Sequence, residues 1–75
     1  MDVVIDRAGA LTAVECKWKE HPGPADADGL KALEAAEPGR VKQKMIVCRT
    51  KVAYRLPDGT WVVPPSDALK RLTVT

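Results

Sequence analysis

Residues 2–18 read DVVIDRAGALTAVECKW, two β-rich runs joined by a short link that contains a glycine. The runs cover residues 2–6 and 11–18, and a tight Ala8-Gly9 link predicts a β-hairpin. With Arg7 opposite Ala10, Asp6 faces Leu11 and Asp2 faces Glu15; a four-residue loop over 7–10 gives the same register. Directly opposed residues share a face of the sheet, with Cβ atoms about 5 Å apart. Two carboxylates at that distance repel unless something positive lies between them. Lys17, two residues beyond Glu15, shares the face roughly 7 Å along the strand.

Outward from the hairpin, His21-Pro22-Gly23-Pro24 is a strong breaker. A helix is expected from Ala25 to Glu37, capped by Asp26 or Asp28, with Ala27, Leu30 and Leu33 as its apolar face. Gly29 weakens its first turn by about 1 kcal/mol, and Pro38-Gly39 ends it. Residues 44–49 (KMIVCR) hold four consecutive apolar residues, the mark of a strand covered on both faces. Val52, Tyr54 and Leu56 alternate as in a half-exposed strand. Pro57-Asp58-Gly59-Thr60 is a turn signal, Trp61-Val62-Val63 the returning strand, and Ser66 the cap of a short helix over residues 67–72. The expected order is β-β-α-β-β-β-α. It describes an α/β (α+β) domain with a small mixed sheet of four to five strands, one main helix and a short C-terminal helix.

The chain has 75 residues, so one domain over 1–75 is expected, and at this size the stability is modest. Trp18, Tyr54 and Trp61 are the only aromatics and there is no Phe, so Val, Leu, Ile and Ala must fill the core. Both tryptophans read as core or sheet-edge residues, although an exposed Trp can stack on a base. Cys16 and Cys48 sit in apolar runs with no CxxC and no Cys–His cluster, and read as reduced, buried residues of a cytoplasmic protein. No segment approaches the ~20 apolar residues of a membrane helix.

The net charge of +2 is unevenly spread: residues 1–38 carry eight acids and four bases, residues 39–75 two acids and eight bases. An acidic site beside a basic flank is one reading, and solvated charge on loops and strand edges is the other. Arg40, Lys42, Lys44, Arg49, Lys51 and Arg55 can track a phosphate backbone, or simply be solvated. His21 reads as an exposed loop residue, and one histidine cannot make a zinc site. No Gly-rich phosphate loop supports ATP binding.

Two strand-borne carboxylates, Asp2 and Glu15, together with backbone carbonyls and water suit Mg²⁺ or Mn²⁺. Lys17 can position a water and stabilise charge developing on a phosphate, which makes Asp2, Glu15 and Lys17 the candidate catalytic set. The bland alternative is a same-face Glu–Lys ion pair beside an unremarkable Asp2. The run from Asp2 through Glu15-Cys16-Lys17 is similar to the PD-(D/E)XK nuclease superfamily pattern. The order that follows extends the likeness: a proline breaker, Asp-x-Asp-Gly-Leu, a helix, Met-Ile-Val-Cys-Arg and Tyr-Arg-Leu. It resembles the nuclease-like C-terminal domain behind AAA-type ATPase modules of bacteria and archaea.

The resemblance implies a restriction-endonuclease-like core, with Asp2 and Glu15 as metal ligands and Lys17 as the lysine of the site. That core has a helix ahead of the Asp-bearing strand, and its absence here implies a truncated or excised domain. Apolar surface on Val3, Ile5, Val14 or Cys16 would then be left uncovered, to be met by a homodimer or covered otherwise in a weakly stable monomer. Three functions stay open: a metal-dependent nuclease, a degenerate nuclease-like module that binds nucleic acid or a partner domain without cutting, and a structural piece of an ATPase.

Overall fold

A computed structural model describes residues 2–73, and the side chains of residues 3–72. The elements run β1 (Asp2–Arg7), β2 (Ala10–Cys16), a 3-10 turn (Pro24–Ala27), α1 (Asp28–Ala36), β3 (Val41–Val47), β4 (Tyr54–Arg55), β5 (Trp61–Val63) and α2 (Pro65–Thr73). The five strands form one mixed sheet in the order β1-β2-β3-β5-β4. β2 and β5 flank β3 in parallel, while β1 and β4 pair antiparallel with β2 and β5 as the two edges.

The hairpin forms because Ala8 and Gly9 both adopt positive φ, 55° and 89°. That backbone twist matches the twist of the flanking strands. The Gly9 N–H also donates to Asp6 Oδ1 at 2.9 Å. The register is the one expected, with Asp2 opposite Glu15, Asp6 opposite Leu11 and Arg7 opposite Ala10.

The pleat of β2 sends alternate residues into two cores. Ala13 packs with Ala27, Leu30, Ile46, Cys48, Leu56 and Val62 under α1. Val14 packs with Met45, Val63 and Ala68 under α2. Met45, Ile46, Val62 and Val63 are all fully buried, as expected of central strands covered on both faces.

Several local expectations are corrected. The main helix does not start at Ala25: a 3-10 turn occupies Pro24–Ala27, and α1 begins at Asp28 behind Ala27, which offers no side-chain cap. Asp26 instead turns back to accept the Gly23 N–H at 2.9 Å. Val52 is no strand residue, because the Thr50 hydroxyl donates to its carbonyl at 2.9 Å across a bend at residues 51–52. Val52 is consequently 73% exposed. The last helix begins at Pro65, which places Ser66 inside its first turn. β3 starts earlier than expected, at Val41, because it pairs with β2 from Leu11 onward.

Cys16 is exposed and Cys48 buried, and both are free thiols. Trp18 is exposed as well. Both lie at or beyond the last β2 residue, where the cores under the two helices stop including β2 side chains. Of the surface expected to lack cover, Val3 and Cys16 are exposed and Ile5 is half-buried, but Val14 is buried because α2 reaches it through Ala68.

Two substitutions test this account by urea denaturation. Ala8→Asn, which tolerates positive φ better than Ala, is expected to stabilise by about 0.5–1 kcal/mol. Leu30→Ala should cost about 2–5 kcal/mol through the cavity left between α1 and the sheet.

Candidate functional site

The C-terminal ends of β2 and β3 gather the candidate residues, the place where open α/β sheets bind ligands. Glu15 lies between Asp2 on β1 and Ile46 on β3. It is only 6% exposed, and its Oε2 is buried with no hydrogen-bond partner among the described residues. Its Oε1 lies 3.7 Å from Lys17 Nζ, an ion pair too long for a hydrogen bond. A carboxylate so placed is expensive unless a cation completes it. The register position of Asp2 is as expected, and its side chain lies outside the described residues. Among the described residues, no group of three or more His, Cys, Asp and Glu side chains could hold a metal ion.

β2 keeps its ladder past its last strand residue. The Lys17 N–H donates to Val47 O at 2.9 Å and the Arg49 N–H to Lys19 O at 2.8 Å. The loop that follows is clamped on itself, with Lys19 Nζ 2.8 Å from Asp26 Oδ1. The Lys19 hydrogen bond and then the Gly23 N–H hold the Asp26 carboxyl below its usual range, helped by the Lys19 and Lys17 charges and opposed by burial. The Tyr54 hydroxyl donates to Pro22 O at 2.7 Å and ties the loop to β4. Burial, followed by the nearby Cys48 and Asp26, pushes that phenol above its usual value. A cleft of about 450 Å³ opens between this loop and residues 49–54, with the exposed His21 on its wall.

The bases of the second half sort into several groups. Arg40 pairs with Asp6 and Glu37, and Lys44 with Glu34 and Asp58. Burial works against the Lys44 charge, but these two carboxylates outweigh it and raise its pKa. The Arg55 guanidinium lies over Trp61, whose other neighbour is Arg71. Arg49 lies over Trp18. Asp26 as a loop clamp, Tyr54 as its anchor and the Trp18–Arg49 pair escaped the sequence reading. The only hint was the placement of Trp18 between a strand end and a breaker.

The chain matches the family described as a domain of unknown function, DUF4143, over residues 1–67. It belongs to that family. No curated protein and no solved structure matches it. Among the described residues, no helix is long and apolar enough to cross a membrane.

The clamp makes a pH-dependent test. Asp26→Asn should cost about 1 kcal/mol. A folded-state pKa below the unfolded one stabilises fully above the unfolded value and loses that effect as pH falls through the folded value. The gap in unfolding free energy between wild type and Asp26→Asn should therefore be constant above about pH 5 and close progressively below about pH 4.

Proposed function

We propose that this domain is a metal-dependent nuclease-like module of the PD-(D/E)XK type, acting in phosphodiester hydrolysis. Asp2 and Glu15 would hold Mg²⁺ or Mn²⁺, and Lys17 would be the lysine of the site. The observation that carries the reading is the buried Oε2 of Glu15, which has no hydrogen-bond partner among the described residues, at a strand position opposite Asp2 and with Lys17 beside its other oxygen. Oxygen donors on strands are the donor set that a hard divalent cation takes.

Such a cation polarises a phosphoryl oxygen and activates water when bound. Lys17 is 39% exposed at its side chain, so its ammonium can reach both Glu15 and solvent. From there it can orient a water and stabilise negative charge developing on a phosphate. By the resemblance above, the natural setting would be an ATPase to which the module is attached.

A second reading, a degenerate module that binds nucleic acid or a partner domain without cutting, is favoured by one observation: Lys17 already sits where it partly neutralises Glu15.

Mn²⁺ titration followed by NMR separates the readings. Line broadening is expected first around Asp2, Glu15, Cys16 and Lys17, with Glu15→Gln abolishing the localisation. Lys17→Met should retain or strengthen it, because a competing positive charge is gone. In metal-free buffer Lys17→Met should also cost up to about 1 kcal/mol by removing the half-exposed partner of Glu15, a loss that saturating Mn²⁺ reverses. Uniform broadening that Glu15→Gln does not alter sinks the metal site. Localised binding without cleavage of plasmid or single-stranded DNA selects the degenerate module. Cleavage lost by about 100-fold or more in both variants selects the nuclease.

A further inference from the structure

The same end of the sheet carries an aromatic surface and two cations that the metal-site reading leaves unused. Trp18 is 81% exposed, a large apolar ring left in water. The Arg49 guanidinium carbon lies 5.1 Å from the ring centroid, within cation–π range. Backbone bonds position the pair: the Lys17 N–H donates to Val47 O on one side of Trp18, and Lys19 O accepts from Arg49 itself on the other. The platform is thus an extension of the β2–β3 ladder.

The cations here fall into two kinds. Lys17 and Lys19 are paired with Glu15 and Asp26. Arg49 and Lys51 have no carboxylate partner among the described residues. Both border the cleft of about 450 Å³, whose wall also presents Val52 and Tyr54, with Glu20 its single acid. A flat ring, a guanidinium on it and a free ammonium nearby complement an unstacked base followed by phosphates. Bases inside a duplex are already stacked and offer no such face. An acidic peptide would satisfy the two cations but leave Trp18 without a flat partner.

We propose that Trp18 and Arg49 form a stacking platform for an unpaired base of a single-stranded nucleic acid, with Lys51 on a neighbouring phosphate. Trp18 is three residues from Glu15, about 10 Å along an extended chain, so the platform lies near the strand end that carries Glu15 and Lys17. The proposal rests on the nuclease-like reading only for the fate of the bound nucleic acid.

The test is anisotropy of a fluorescein-labelled oligo(dT) of about twelve nucleotides, titrated with the full chain in EDTA, so that no metal contributes. The single strand is expected to bind about ten-fold or more tightly than a duplex of the same length. Trp18→Ala should weaken binding about ten-fold and leave the salt dependence unchanged, with Trp18→Phe recovering most of the loss. Arg49→Gln and Lys51→Gln should each lower the salt slope by about one. Because Trp18 is exposed, its replacement leaves the core intact, and far-UV circular dichroism verifies this. Binding in EDTA needs no metal, so a failed metal site, read from Mn²⁺ broadening around Glu15, and a failed platform, read from oligo(dT) anisotropy, give different results. Absent binding, equal binding by Trp18→Ala, or equal affinity for the duplex or for polyglutamate would each overturn the proposal.

Discussion

The pleat of β2 governs the molecule. Its residues must alternate between two cores, Ala13 toward α1 and Val14 toward α2, while it pairs with β1 on one side and β3 on the other. A slip of one residue would turn Glu15 into the core that now holds Val14 and bring Val14 to where Glu15 sits. The hairpin turn prevents the slip on one side, and parallel pairing with the fully buried Met45 and Ile46 prevents it on the other. A charged carboxylate is thereby held nearly out of water next to the central strand, where a chain built only for stability would place Val or Ile.

Around that carboxylate the electrostatics are graded. Among the described residues, Glu15 has one long ion pair and one oxygen without a hydrogen-bond partner. Asp26, a loop away, is satisfied by Lys19 and the Gly23 N–H. Farther out, Arg49 and Lys51 form no ion pair with a carboxylate among the described residues. The excess of bases in the second half of the sequence is therefore only partly a surplus. Arg40 and Lys44 serve as struts that tie β3 and its approach to acids on the hairpin, α1 and the β4–β5 turn.

Much of the fold was legible because its signals are local. Ala8-Gly9 sets a register within two residues, Pro57-Asp58-Gly59 marks a turn, and four apolar residues in a row mark a doubly covered strand. What was misread depends on partners distant in sequence. Its apolar run suggested a buried Cys16, and the lack of Phe a core or sheet-edge Trp18, yet the helices and neighbouring strands decide where cover ends. The start of α1 was blurred because Pro24 favours a first turn that Asp26 then closes through Gly23. In the site, Glu15 and Lys17 could be read from a spacing of two on a strand. Tyr54 on Pro22 and Arg49 on Trp18 join residues about thirty apart, and no pattern along the chain announces them.

The Arg7 side chain donates to Leu72 O at 2.7 Å, so the first strand is tied to the last turn of the last helix. The parallel β2–β3 pairing likewise matches Leu11 with Val41. Only the hairpins can close within microseconds on their own. The central sheet must await collapse of the intervening segment, which places the chain among the slower small folders. On a ribosome, where residues emerge in order, the Glu15-bearing hairpin exists before the strand that buries it. Until β3 arrives, that carboxylate is still hydrated, and the cost of enclosing it falls due only in the closing step of assembly.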